Sequence, residues 1–198
     1  MMRTTPSGQG TGVPSDAARG GGVLLRRGYE PGLVGRVAEL HGRYYARAWG
    51  AGAPFELLIA REFIEFLEGY DPACDLVLAA HIGETLVGSI SIIGRERSPD
   101  GVQLRFFIVD PDWHGRGAGK ALLAAALAWC RKRRFPKVFL WTVDGLPQSR
   151  RLYEKAGFRV TERVPDDRYT VLRENLKMEL LLSDPVREDS SGALDKEG

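Results

Sequence analysis

Apolar residues recur at helical spacing from Pro31 to Trp49 (Leu33, Val37, Leu40) and again from Pro54 to Gly69 (Leu58, Phe63, Phe66, Leu67). Each segment carries a proline near its first turn and a glycine beside its end. Helices favour that asymmetry, because proline lacks an N–H that would be unsatisfied there anyway and glycine suits the turn that closes the last carbonyls. The pattern then shortens to strands. Asp75 to Ile82 and Thr85 to Ile93 are β-rich runs joined by Gly83-Glu84, and the turn Ser98-Pro99-Asp100-Gly101 leads back into Val102 to Val109. With a short first strand at Val23 to Arg27, this predicts an antiparallel meander. Helical spacing returns from Arg116 to Arg133, followed by a strand at Lys137 to Thr142, a helix at Pro147 to Ala156, and strands at Gly157 to Arg163 and Leu172 to Leu182. The expected fold class is α/β (α+β), a mixed sheet with helices on both faces.

Composition fits one such domain. The chain has 198 residues, and a folded part of about 160 residues buries roughly 70% of its unfolded surface, enough for one core. Apolar runs such as ALLAAALAW fall short of the ~18 residues needed to span a bilayer, so no membrane partner is expected. Residues 1–22 are rich in Gly, Ser, Thr and Pro without an apolar core, and residues 184–198 carry five acids against two bases; both read as flexible tails around a domain at 23–183. The whole chain has a net charge of +2 and the tails contribute +1 and −3, which leaves +4 on the domain. That mild excess suits a polyanionic cofactor and is too small to announce nucleic acid. Cys74 and Cys130 have no C-x-x-C spacing and no His cluster beside them, so neither a disulfide framework nor a metal site is expected, and a cytoplasmic setting is the default.

The chemistry concentrates in QLRFFIVDPDWHGRGAGK, Gln103 to Lys120, where a hydrophobic strand breaks into a glycine-rich turn and then an alanine-rich helix. Gly115, Gly117 and Gly119 remove side chains where backbone N–H groups can approach an anion, and the helix that follows points its positive end at the same place; a pyrophosphate is the natural guest. A Walker A loop is excluded, because His114 stands at its first glycine and Ala121 at its Ser/Thr. The dinucleotide fingerprint G-x-G-x-x-G fails at Lys120 or at Leu122, depending on the starting glycine.

The surviving pattern, VDPDWHGRGAGKALL, resembles the acetyl-CoA motif (Gln/Arg)-x-x-Gly-x-(Gly/Ala) of the GNAT superfamily of N-acetyltransferases, and SRRLYEKAGFRV resembles that family's helix tyrosine running into a Gly-Phe turn. The likeness covers about Val23 to Leu182. Through LHGRYYARAWG, FIEFLEGYDP and LRFFIVDP it looks closest to the acetyltransferase halves of fusions with MarR-type regulators, although no such N-terminal regulator is expected in this chain. Two positions depart from the pattern: His114 where Gln or Arg is usual, and Leu146 where many members have Asn.

The resemblance implies a mainly antiparallel sheet splayed between its fourth and fifth strands, with acetyl-CoA as co-substrate and no metal. The backbone of Phe107, Ile108 and Val109 would face the thioester and pantetheine, and His114, Gly115, Arg116, Gly117, Ala118, Gly119 and Lys120 would hold the pyrophosphate. Tyr153 aligns with the tyrosine that protonates the departing thiolate; a plain core aromatic is the competing reading. The fourth strand often carries a Glu that faces the acceptor amine, and here that position is Gln103, which takes no proton at neutral pH. Glu62, Glu65, His41, Glu84 or a water chain remain as the base. Strand alternation puts Gln103, Arg105 and Phe107 on one face, towards the acceptor; Arg105 either clamps an anionic group of the substrate or pairs with an internal acid. His41, Tyr44, Tyr45 and Trp49 line the acceptor side or pack the core. Arg150 and Arg151 reach the adenosine phosphates or stay solvated.

The leading expectation is therefore an acetyl-CoA-dependent N-acetyltransferase acting on a primary amine of a small molecule or peptide by direct transfer in a ternary complex. The alternative is a catalytically silent acyl-CoA sensor. Arg131 to Arg134 end a helix and complement its negative pole, which explains them without nucleic acid. A homodimer is left open.

Overall fold

The computed structural model describes residues 22–98, 101–166 and 173–182. The tails expected at 1–22 and 184–198 lie outside them, Gly22 excepted. In chain order the elements are β1 (Val23–Arg27), α1 (Leu33–Trp49), α2 (Ala53–Glu68), β2 (Leu76–Ile82), β3 (Thr85–Ser98), β4 (Gly101–Val109), a 3-10 turn at Pro111–Trp113, α3 (Ala118–Lys132), β5 (Lys137–Val143), α4 (Pro147–Lys155), β6 (Arg159–Asp166) and β7 (Arg173–Leu181). The strands form one sheet in the order β1-β2-β3-β4-β5-β7-β6, parallel only between β4 and β5.

Most boundaries follow the periodicity. β3 runs beyond Ile93 to Ser98, because pairing with β4 carries the backbone where the side chains are no longer apolar. α3 begins at Ala118 instead of Arg116, because Gly117 caps it in the left-handed region at φ 87°. β6 starts slightly later than expected, at Arg159, and the expected start of the last strand, Leu172, lies outside the described residues.

β2 is buried on both faces, and its alternation divides the core. Leu76, Leu78, Ala80 and Ile82 pack with Leu122, Leu123, Ala126 and Leu127 of α3. Val77 and Ala79 pack on the other side with Leu33 and Val37 of α1 and with Phe63 and Phe66 of α2. Each large side chain fully buried in this way contributes about 1.5–3 kcal/mol.

Two irregularities of β4 shape everything that follows. First, its register with β3 passes from Ser91↔Arg105 to Ser89↔Ile108, so Phe106 and Phe107 together oppose Ile90. Phe106 sits at the bulge with φ 49°, a left-handed conformation that costs a side-chain-bearing residue about 1–2 kcal/mol. Ser89 Oγ donates to the Phe106 carbonyl at 2.9 Å, and the Phe106 ring meets Phe63 edge-on at 4.9 Å, which offsets that cost. Secondly, β4 and β5 pair only at Val102↔Val138 and Gln103↔Phe139. Beyond Gln103 the two strands part, and β5 continues against β7 as far as Val143↔Asn175. The expected splay between the fourth and fifth strands is present.

The bulge corrects one expectation. Gln103, Arg105 and Phe107 do not share a face, because the extra residue inverts the alternation: Arg105 bonds Glu62 of α2, Phe106 joins the α1/α2 cluster, and Phe107 packs with the α3 cluster. α1 is anchored to the end of this strand. The Arg36 guanidinium donates to the Asp110 carboxylate at 2.6 Å and to the Leu86 carbonyl at 3.0 Å.

Candidate functional site

The glycine turn lies where β4 ends. Gly115 and Gly117 have φ of 78° and 87°, and a Cβ at either would meet nothing within 4 Å, so these glycines serve the backbone path and leave the space above it empty. The first bond within α3 runs from the Ala121 N–H to the Gly117 carbonyl at 2.9 Å. The N–H groups of Ala118, Gly119 and Lys120 therefore precede the helical ladder and aim, with the positive pole of α3, out of the N-terminus. A Cβ added at Gly119 would come into ordinary contact with Val109, Leu152 and Phe107, at 3.5, 3.6 and 3.7 Å.

A cavity of about 500 Å³ opens over this turn, and Phe107, Ile108, Val109, His114, Gly115, Gly117, Ala118, Gly119 and Lys120 all line it. Of the residues expected to hold the cofactor, Arg116 is the one off this wall; its guanidinium lies 4.8 Å from the centre of the Trp113 ring. His114 turns back on the strand, its Nε2 3.0 Å from the Val109 carbonyl, so the imidazole N–H donates there.

A second cavity of about 530 Å³ lies on the other side of the splay, and it shares Tyr45, Phe107 and Ser149 with the first. The two spaces meet at these three residues, just past the bulge of β4. Gln103 and Arg105 both line the second one, as does Tyr153. Among the base candidates, Glu62 and His41 reach it; Glu65 and Glu84 do not. Tyr45 and Trp49 line it, whereas Tyr44 faces the cradle.

Arg105 meets Glu62 across 43 positions of sequence at 2.5 Å, so it does pair with an internal acid. The side chains of Arg105 and Glu62 keep 31% and 30% of their exposure, which leaves both groups accessible from the cavity. His41 is buried, with Nδ1 2.8 Å from the Val37 carbonyl. Nδ1 must then carry the proton, and Nε2 keeps its lone pair. Burial, and secondarily the charge of Arg105, push this imidazole down to about 4.

Such a depressed value has a measurable consequence. Between pH 6.5 and about 4 the unfolded chain binds a proton at His41 that the folded chain refuses, so the stability present at neutral pH is lost as pH falls through that window. Full expression is worth about 3 kcal/mol. Urea unfolding at pH 7 and pH 4.5 is expected to show the native protein losing about 2–3 kcal/mol more than His41→Gln. Equal losses would mean that His41 titrates as it does in the unfolded chain.

Tyr153 is buried between Phe107 and Phe158, with ring centroids 5.9 and 5.8 Å away. Burial, with the neighbouring Tyr45 and Tyr44, pushes its phenol well above the ordinary range. The hydroxyl therefore stays protonated and is a permanent donor. Tyr44 is also raised by burial, against a hydrogen bond with Ser149 of α4. That bond ties α1 to α4 across the site.

Several residues of the cavity walls gave no sequence signal. Phe55 of α2, Trp141 of β5 and Asn175 of β7 line the second cavity, and Trp113 lines the first. Trp141, 40% exposed within a hydrophobic strand, is the one whose pattern could have marked it, since an aromatic kept partly in solvent on a sheet face invites a ligand. Leu146, at the position where asparagine is common, is buried in the second cavity's wall. Arg150 pairs with Glu154 at 2.8 Å and with Asp144 at 3.7 Å, which favours the solvated reading. Among the described residues no cluster of three or more His, Cys, Asp or Glu could hold a metal ion, and no helix is long and apolar enough to cross a membrane.

Residues 35–158 match the model of the acetyltransferase (GNAT) family. A mycothiol acetyltransferase of Salinispora tropica is 32% identical over 100 residues, 47% of this chain and 28% of that protein. An aminoglycoside N(6')-acetyltransferase type 1 of Stenotrophomonas maltophilia is 38% identical over 71 residues, 36% of this chain and 46% of that protein. The chain thus spans under half the length of the curated relatives it matches. Among solved structures, yncA of Salmonella typhimurium, determined with its cofactor acetyl-CoA, superposes with a TM-score of 0.61 at 20% identity, covering 85% of this chain and 98% of that one.

Proposed function

Because the chain belongs to the acetyltransferase (GNAT) family, we propose that it moves the acetyl group of acetyl-CoA directly to a primary amine of a small molecule or peptide, in a ternary complex. The observation that carries this reading is the meeting of two cavities at the splay: a phosphate cradle opens on one side, a pocket with a carboxylate and aromatic walls on the other, and Phe107 borders both.

In this reading the N–H groups that begin α3 take the pyrophosphate, and the backbone of Phe107 to Val109, unpaired on its β5 side, takes the pantetheine amides and the thioester carbonyl. Val109 O is engaged by His114, so that ring must swing aside if the carbonyl is to serve the cofactor. Glu62 accepts the proton of the acceptor ammonium. His41, buried and held down to about 4, stays neutral at working pH and serves as a wall. The freed amine attacks the thioester carbon, the C–S bond breaks, and Tyr153 donates to the departing sulfur. The second N–H proton of the amine balances the proton given to the thiolate.

Two free cysteines and a co-substrate made inside cells support a cytoplasmic setting. A likeness to the acetyltransferase halves of MarR-type fusions is supported by the three sequence segments quoted above alone. A thiol-release assay with acetyl-CoA and pooled amines, read out by mass spectrometry, is expected to yield N-acetylated product. Tight CoA binding with no product from any amine would identify a sensor instead.

A further inference from the structure

Within the reading just given, the second cavity carries information about the acceptor itself. Glu62 and Arg105 are the charged side chains on its wall among the described residues, and they are in contact with each other. A polycationic acceptor would need several carboxylates, and this wall supplies one, already neutralised. A lone ammonium would leave Arg105 paired but idle, and a lone anion would do the same to Glu62. A zwitterion uses both. An ammonium and a carboxylate carried on neighbouring atoms can lie antiparallel to the Glu62–Arg105 pair, each charge over its opposite, so that neither side chain gives up its partner without receiving another.

The uncharged rest of the wall is mixed: Gln103, Thr142 and Asn175 are polar, whereas Trp49, Phe55 and Trp141 offer aromatic surface. Neutral His41 adds a lone pair and no charge. We propose that the acceptor is a free α-amino acid with an aromatic or large aliphatic side chain, its carboxylate on Arg105, its amine on Glu62 and its side chain against the aromatic wall.

The test compares phenylalanine, tryptophan, leucine and methionine with their own primary amides, which keep the amine and side chain and lose only the carboxylate. Two quantities are measured: kcat/KM for thiol release with acetyl-CoA, and affinity for the CoA-loaded protein by calorimetry. The free acids are expected to exceed their amides at least tenfold in both, and Arg105→Gln should bring that ratio close to one whatever it does to the absolute values. Amides accepted as well as free acids, or a polyamine such as spermidine preferred to both, would overturn the proposal while leaving an amine acetyltransferase in place. Preferential binding of the free acids without turnover would do the reverse: the occupant of the pocket would stand and the catalytic reading would fall.

Discussion

Gly117→Glu is expected to remove measurable CoA binding, a loss of at least a hundredfold in affinity, from a protein that still folds. The substitution places a side chain into the empty space above the turn and a negative charge at the positive pole of α3, where the proposed pyrophosphate would approach the backbone. The fold survives because a Cβ there meets nothing within 4 Å. What remains is the strain of a non-glycine residue at positive φ, about 1–2 kcal/mol. Gly117→Ala isolates that strain, since it adds a methyl group without the charge, and should bind CoA measurably more tightly than Gly117→Glu. Calorimetry on both, with a thermal melt as the control for folding, decides the matter. Unchanged affinity in Gly117→Glu would move the cofactor site elsewhere.

Tyr153→Phe is expected to lower kcat by about a hundredfold while CoA affinity hardly moves. The ring is kept, so the contacts with Phe107 and Phe158 persist and the helix stays seated. Only the hydroxyl, proposed as donor to the departing sulfur, is lost. The lower end of the usual range for general-acid catalysis is appropriate, because a thiolate leaves well unaided and because a phenol pushed far above its usual range parts with its proton reluctantly. The same elevation means that no basic limb from this tyrosine should appear in the pH–rate profile below about pH 10. Single-turnover acetylation paired with CoA binding separates the outcomes. Full-rate turnover would leave Tyr153 a packing residue, and parallel loss of CoA affinity would make it a cofactor contact.

The glycine turn and the helix after it were legible in the sequence because their physics is local. Glycines at Gly115 and Gly117 declare the positive φ they adopt, and the alanine-rich stretch after them declares a helix. The splay was legible only through resemblance. The acceptor side depended on contacts that no local pattern encodes. The partner of Arg105 lies 43 residues away on a helix whose own periodicity marks Glu62 as a surface position. His41 read equally well as wall or as core and is both, buried yet lining the cavity. The bulge was invisible because nothing in Arg105-Phe106-Phe107 resembles a turn. Phe106 is held at positive φ by Ser89 and by Phe63, and tertiary packing overrides the preference of the residue itself.

That bulge also separates two inheritances within one strand. Residues before it take their orientation from the register Ser91↔Arg105 with β3 and present Arg105 to α2; residues after it take theirs from a reset register and present Phe107 and Val109 to α3. In the proposed reading, a substitution at Gln103 or Arg105 can therefore change which amine is admitted without re-aiming the backbone groups of Phe107 to Val109. A deletion at Phe106 would exchange the two faces at a stroke. If the two cavities hold acceptor and donor as proposed, the fold can explore new acceptors one side chain at a time while its hold on the donor stays fixed.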